Sequence, residues 1–340
     1  MKILGTGLDG LVGSRIVELL KGQYEFESSD VDITDRNKII DKIKSSDASI
    51  VLHLAAKTSV DGCEEDRGED QKLLDRHSGN PSADGASRIS QYVNGTDSGV
   101  TAVPQNDVYE EWRDKKTAWA VNVYGTQNIA DACQASNKKL IYISTDFVFD
   151  GSRPPSGGYR EEDTQNPINW YGKTKYEGEK IVKNVSIPRI IARIAYPYRA
   201  SFAKKDFVRA LIHKFQNKEN LQMVTDHIMT PTFVDDIACA LHFLIKNNST
   251  GIFHVVGSEF ISPYEAAVKI AEIFDFSKDY IAETTRSEYF YNRAPRPFQL
   301  ALKNDKIRGL GVRMRGFEEG LQQLKTQSPI QSGTKLKITS

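Results

Sequence analysis

Residues 2–20 read KILGTGLDGLVGSRIVELL, and this stretch decides the fold. A short apolar run, Ile3-Leu4, leads into Gly7-x-x-Gly10-x-x-Gly13. Beyond it Leu11, Val12, Ile16, Val17, Leu19 and Leu20 supply a helical apolar stripe. A strand that turns tightly into a helix needs glycine at the turn. Glycine also lets the backbone approach a pyrophosphate, whose charge then sits at the helix N-terminus. The spacing differs from the commoner Gly-x-Gly-x-x-Gly, with Gly5 as an extra glycine upstream. A plain glycine-rich turn is the alternative, but the place of the motif, between a strand and a helix at residue 7, favours dinucleotide binding.

Working outward, a second strand should end in YEFESS, 24–29, followed by DVDITD. Glu27 and Asp30 lie about 20 residues past the first glycines, where a carboxylate can grip the adenosine ribose. No Lys or Arg occurs between Glu25 and Asp35, which leans towards NAD over NADP. Asp32 has two readings, a cofactor contact or the cap of the following helix. SIVLHLAA, 49–56, is almost wholly apolar, as a strand covered on both faces should be. His53 inside it reads as a satisfied core histidine. The strand ends in Ala55-Ala56, small enough to admit a flat ring or a phosphate. KLIYIST, 139–145, stays apolar until Ser144-Thr145-Asp146. Ligands of open α/β sheets bind at the carboxyl ends of strands, so Thr145 stands where a substrate group is expected, with a local turn as the plainer alternative. The alternation of strand and helix from residue 2 to about 195 predicts an α/β fold, a doubly wound parallel sheet of Rossmann-like type.

The bulk numbers narrow the function classes. The chain has 340 residues, more than one compact core usually holds, so a smaller lobe is expected beside the main domain. Forty-five basic and 45 acidic residues cancel, and no polybasic tract occurs. Nucleic acid and anionic membranes are therefore not the expected partners. No apolar run approaches the length of a membrane span. Cys63, Cys133 and Cys239 lie far apart without metal-ligand spacing, which suggests a reducing compartment and predicts no metal site. The expected location is the cytoplasm.

NWYGKTKYEGEK, 169–180, places Tyr171 and Lys175 one helical turn apart on the same face. An ammonium near a phenol favours the phenolate and lowers its pKa, so such a tyrosine can pass a proton at ordinary pH. The pair alone is a weak pattern, equally compatible with a packed Tyr and a solvated Lys.

In the order Gly7-x-x-Gly10-x-x-Gly13, Thr145, Tyr171-x-x-x-Lys175, the chain resembles the extended short-chain dehydrogenases/reductases. Among them, ISTDFVFDGSRPP, YREED and NPINWYGKTKYEGEK resemble the dTDP-4-dehydrorhamnose reductases and their relatives. So do HLAAKTSVDGCEEDR at 53–67, NVYGTQNIADAC at 122–133, DHIMTPTFVDDIA at 226–238 and RAPRPFQLALKNDK at 293–306. The resemblance implies carbonyl reduction of a nucleotide-linked 4-keto-6-deoxy sugar with NADH or NADPH. It makes Thr145, Tyr171 and Lys175 catalytic: Tyr171 gives the proton, Lys175 tunes it and holds the nicotinamide ribose, and Thr145 bonds the keto oxygen. It assigns Gly7, Gly10, Leu11, Val12 and Gly13 to the pyrophosphate turn and Asp32 and Ile33 to the adenine. Ala55, Ala56, Lys57 and Asn122 join the cofactor set. Thr58, Val60 and Asp146 fall near the sugar, and Arg296 matches an arginine suited to a substrate phosphate. Residues 1–195 are then the dinucleotide-binding domain, 196–325 a partly interleaved substrate lobe, and 326–340 a flexible tail. The IFHVVG strand at 252–257 should rejoin the main sheet, with a helix from residue 263.

The pattern departs from these relatives in places. A long stretch at about 68–113, rich in Gly, Ser, Asn and Asp, reads as an irregular insertion, with short helices open at QKLLDRH and NDVYEEWRDKK. Met229 stands where relatives carry glycine, and Leu300 and Lys303 replace small or acidic residues, which puts the identity of the sugar in question. The Glu161–Asp163 run reads as a solvated turn. Other functions stay open: a non-catalytic regulatory subunit like that of methionine adenosyltransferase, or an epimerase or dehydratase. A dehydratase would want a carboxylate pair after Thr145, but Phe147 follows Asp146. A homodimer is a possible assembly.

Overall fold

The computed structural model describes residues 1–78, 111–152, 154 and 157–328. Strands β1 (Lys2–Thr6), β2 (Glu25–Ser29), β3 (Ile50–His53), β4 (Lys139–Thr145), β5 (Arg189–Ile194) and β6 (Gly251–His254) form a parallel sheet. Its order is β2-β1-β3-β4-β5-β6. The order reverses at β1, which pairs with β2 through Thr6↔Ser29 and with β3 through Thr6↔His53. Such a reversal opens a crevice at the carboxyl ends of the two strands, where doubly wound sheets take their ligands. The expected α/β sheet is present, and the strand read at 252–257 does join it.

The chain divides into two compact units: Met1–Gly7, Glu25–Tyr142 and Asn169–Arg189 in one, Leu8–Tyr24, Ile143–Ile168 and Ile190–Ser340 in the other. In the first unit, α2 (Arg36–Ser45), α3 (Val60–Ser78), α4 (Gly125–Ala135) and α5 (Trp170–Asn184) flank the strands. Ile3, Leu4, Ile39, Ile43, Val51, Ile129 and Ile141 are buried between them. A second cluster joins Cys63, Leu73, Leu74, Trp112, Trp119 and Trp170. This corrects the irregular insertion read at 68–113. Its first part, to Ser78, continues α3, and Trp112 is core; the rest, 79–110, lies outside the described residues. The short helix left open at QKLLDRH is therefore present as the end of α3, and carboxylates help to fix this helix in place. Asp66 accepts from the Ala118 amide at 2.7 Å, and Asp70 accepts from the Trp119 amide at 3.0 Å and from Trp170 Nε1 at 2.7 Å.

In the second unit, α1 (Gly13–Leu20) packs on the helix Val234–Lys246, tied by two 2.7 Å bonds from Arg15 to Asp235. The helix expected from residue 263 runs Pro263–Phe274 under a capping box of Ser262 and Glu265. Its Ala267, Ile270 and Phe274 share a core with Val208, Phe215, Phe233, Phe317 and Leu321. The Glu161–Asp163 run is the expected turn with Glu162 exposed, but Glu161 itself is buried and accepts from the His254 amide at 2.8 Å, which fastens its loop to β6. Met229 and Leu300 are fully buried, Met229 within this core. Of the tail expected at 326–340, Thr326 and Gln327 belong to the helix Phe317–Gln327, and 329–340 lie outside the described residues.

Candidate active site

The first unit gathers one part of the predicted set. Gly7, directly after β1, takes φ +69°, and a Cβ there would stand 2.9 Å from the Ala55 nitrogen. The segments that follow β1 and β3 therefore meet backbone to backbone, as a tight cofactor turn requires. Lys57 is clamped by the buried Asn122, which accepts from the Lys57 amide at 2.8 Å and donates to its carbonyl at 3.0 Å. Asn122 also donates to Thr174 at 3.0 Å, so its side chain links the Lys57 turn to α5. The Lys57 ammonium reaches Asp66 at 2.6 Å. Thr58 is exposed just before α3, and Val60 is its first residue.

Helix α5 starts where its sequence says it should. Asn169 caps it by accepting from the Gly172 amide at 2.8 Å, and Glu64 of α3 accepts from the Trp170 amide at 2.9 Å. The next residue, Tyr171, is half-buried and packs against the tryptophan cluster. One turn on, Lys175 is 3 % exposed, with its ammonium 4.1 Å from the centre of the Tyr142 ring. Burial pulls the Lys175 ammonium down to about 7. Lys175 is thus no solvated surface lysine. His53 is the core histidine expected: its ring bonds Thr6 at 2.7 Å and Thr126 at 3.1 Å, and burial holds it neutral, down to about 3.

The acids after β2 sort themselves. Glu27 is engaged by Lys42 at 2.8 Å, Ser46 at 2.7 Å and Lys2 at 3.3 Å, and its bond with Lys42 holds it down to about 2. It does not offer a free carboxylate to a ribose. Asp32 does not cap α2; Asp35 does, accepting from the Lys38 amide. Asp32 instead folds a turn onto Thr34 and pairs with Lys116, a cation that arrives from far along the chain. Ile33 is buried, and its carbonyl accepts from Asn128 at 3.0 Å.

The second unit carries the rest. Gly10, Leu11, Val12 and Gly13 run into α1, whose N-terminus has neither a side-chain cap nor an acid in its first turn. A helix start left in that state suits a pyrophosphate. Arg199 holds the turn from behind, donating to the Leu11 carbonyl at 3.2 Å and to Ser14 Oγ at 2.9 Å. At the carboxyl end of β4 the Thr145 hydroxyl donates to Asp146 at 2.9 Å and accepts from the Phe147 amide. Thr145 is therefore both a strand-end hydroxyl and part of a local turn. Asp146 is 2 % exposed, its Oδ2 has no hydrogen-bond partner among the described residues, and burial pushes the carboxyl up to about 7.

Sequence reasoning missed the neighbours of Asp146. Tyr196 sits at φ +40°, an uncommon conformation for a bulky residue, and feels the charges of both Asp146 and Arg296. Its hydroxyl lies 3.0 Å from His227 Nε2, while His227 Nδ1 lies 3.0 Å from the Pro297 carbonyl. A carbonyl only accepts, so Nδ1 carries the proton and the tyrosine donates to Nε2. Arg296 itself donates to the Ala294 carbonyl and stacks on Phe290. Nothing in the local sequence marks Tyr196, and His227 lies in the family-like segment 226–238 without a role read for it, because their pairing arises from loops that meet only in the fold.

The strand order and the strand–turn–helix at residue 7 define an α/β protein of the extended short-chain dehydrogenase/reductase class. The chain belongs to the RmlD substrate binding domain family, whose model matches residues 1–89 and 100–328. It is 28% identical over 280 residues to a dTDP-4-dehydrorhamnose reductase of Aggregatibacter actinomycetemcomitans, covering 79% of this chain and 78% of that one. It is 35% identical over 215 residues to methionine adenosyltransferase 2 subunit beta of Bos taurus, a match covering 61% of this chain and 63% of the relative. The crystal structure of dTDP-4-dehydrorhamnose reductase from Bacillus anthracis in complex with NADP superposes with a TM-score of 0.76 at 26% identity, covering 96% of this chain and 99% of that one.

Proposed function

We propose that this chain is an oxidoreductase, an NAD(P)H-dependent reductase that converts the keto group of a nucleotide-linked 4-keto-6-deoxy sugar to the alcohol. The observation that carries the reading is Lys175, buried on α5 one turn from Tyr171, in a chain of a family that includes dTDP-4-dehydrorhamnose reductases. A cation is costly to bury, and a helix that serves only as scaffold has no need of one.

The residues present suit a dinucleotide. Gly7 leaves no side chain in the turn and α1 presents an uncapped start, so Gly7, Gly10, Leu11, Val12 and Gly13 hold the pyrophosphate. Asp32 and Ile33 border the adenine, and Ala55, Ala56, Lys57 and Asn122 complete the lining. When bound, the reduced nicotinamide supplies a hydride. The protein supplies the rest: Tyr171 gives the carbonyl oxygen its proton, Lys175 favours the phenolate left behind, and Thr145 bonds the same oxygen. Thr58, Val60 and Asp146 contact the sugar, and Arg296 holds a phosphate of the nucleotide. In this reading residues 1–195 carry the cofactor and 196–325 read the substrate, in a cytoplasmic protein that can pair as a homodimer. Lys116, paired with Asp32, is a cation that can meet a 2′-phosphate, so NADPH is tested beside NADH.

The test is oxidation of NADH or NADPH dependent on dTDP-4-dehydrorhamnose, then on other nucleotide keto sugars. Tyr171→Phe is expected to keep cofactor binding and to lose roughly a hundredfold or more in rate. A variant as fast as the parent contradicts the assignment. The 35% identity to a methionine adenosyltransferase subunit favours a second reading, a regulatory subunit that keeps the dinucleotide fold. Cofactor binding without turnover, together with a change in the rate of an added methionine adenosyltransferase, would select it.

A further inference from the structure

Lys175 poses a physical problem that the proposed mechanism leaves unsolved. The reaction needs its ammonium charged and fixed, yet burial favours the neutral amine. Three features of the first unit answer it. The ammonium rests on the face of the Tyr142 ring, 4.1 Å from its centre, where the negative face of the π-system attracts a cation. Tyr142 is itself fully buried in β4, and its hydroxyl donates to the Lys175 carbonyl at 3.3 Å, so ring and helix are held together. Glu179, one turn further along α5 and 0 % exposed, adds a negative charge that acts on Lys175. The helix can lie this close because residue 178 is glycine: a Cβ there would stand 2.3 Å from the Tyr142 hydroxyl oxygen.

We propose that the Tyr142 ring and the Glu179 carboxylate form a seat that keeps the Lys175 ammonium charged and oriented, making both of them positioning residues for the reaction. The catalytic consequence rests on the reductase reading; the seat itself does not. Among the described residues, the titratable groups around Lys175 include Tyr171 and Glu179 from its own helix, Tyr142 from β4 and His53 from β3, with Lys183 facing Glu179 at 3.5 Å. His53 is neutral, so it neither assists nor opposes the charge at neutral pH.

The sign follows from the charges. Removing a negative neighbour or an attracting ring favours the neutral amine, so the ammonium is lost at lower pH. Isotope-labelled lysine, read by side-chain nitrogen NMR with Lys175→Met to identify the resonance, gives the Lys175 midpoint directly and without substrate. Glu179→Gln and Tyr142→Leu should each lower that midpoint by about one pH unit, whereas Tyr142→Phe, which keeps the ring, should leave it within about 0.3. In turnover, the basic limb of the kcat/KM profile should shift in step with the first two and not with the third. A midpoint unmoved by Glu179→Gln, or lowered as much by Tyr142→Phe as by Tyr142→Leu, overturns the seat. Should Tyr142→Leu not fold, Glu179→Gln and Tyr142→Phe still decide it. Midpoints that shift as expected in a protein that reduces no keto sugar support the seat and defeat the reductase reading alone.

Discussion

Gly7 shows how much a single residue decides. At φ +69° an alanine costs about 1–2 kcal/mol in backbone energy alone. Its Cβ would also press on Ala55 at 2.9 Å from the nitrogen and 3.0 Å from the Cα, and backbone atoms cannot rotate away. Gly7→Ala should therefore lose about 2–3 kcal/mol in urea unfolding and bind dinucleotide at least about tenfold more weakly. Parent-like stability and affinity would show that the turn tolerates a side chain. This glycine was legible in the sequence because its surroundings are local, a strand before it and a helix after it. Glu27 was not: its carboxylate lies at a distance along the chain that suits a ribose, but Lys42 and Ser46, brought over by α2, claim it first. Sequence distance says nothing about which partner arrives.

Among the elements, α5 holds the chemistry and the least slack. Substituting alanine for Gly178 gains up to about 1 kcal/mol of helix propensity. Against that, its Cβ would meet the Tyr142 hydroxyl oxygen at 2.3 Å and the Asn122 carbonyl at 3.1 Å, both in buried residues with nowhere to move. Overpacking of this kind typically costs about 1–3 kcal/mol, so Gly178→Ala should be net destabilising, by about 1–2 kcal/mol, and should slow turnover by lifting Lys175 from its ring. Adding Tyr142→Phe removes the nearest atom and should restore part of the loss; a double variant no more stable than the single one would place the strain elsewhere. The same helix marks the boundary of what could be read in advance. Tyr171 and Lys175 were visible as a spacing, and β4 was visible as an apolar run ending at Thr145. The first turn of α5 depends on Glu64 and Asp70 of α3, and α3 carries few apolar residues, so only its end at QKLLDRH was open to a helical reading and its full extent was not. Elements held by burial leave a pattern; elements held by carboxylates reaching distant amides do not.

Over the whole molecule, buried titratable groups set how stability depends on pH. Burial pulls His53 and His254 down to about 3 and His227 to about 4, against an ordinary 6.5. Between those values and 6.5 the unfolded chain binds protons on these rings and the native chain does not. Their contribution is therefore complete above pH 6.5 and is lost as pH falls, down to about 4 for His227 and about 3 for His53 and His254. Asp146 runs the other way: raised from 3.8 to about 7, it holds a proton in the native state that the unfolded chain releases, so its contribution is present below 3.8 and lost as pH rises through 7. Burial raises Asp70, Glu161 and Asp236 in the same sense as Asp146, so the total slope is a balance of opposed groups. One ring can be isolated from that balance. Glutamine at position 227 can donate to the Pro297 carbonyl and accept from Tyr196, yet binds no proton on unfolding. Each group that takes up a proton only when unfolded adds about 1.4 kcal/mol per pH unit to the slope. His227→Gln should then flatten the rise of unfolding free energy with pH between about 4.5 and 6 by nearly that amount, with no change in slope above pH 7.5. Urea titrations of the two proteins across this range supply the comparison. Parallel curves would mean that His227 is protonated in the native state, that Nε2 donates instead of accepting, and that the tyrosine beside Asp146 keeps its hydroxyl hydrogen for another partner.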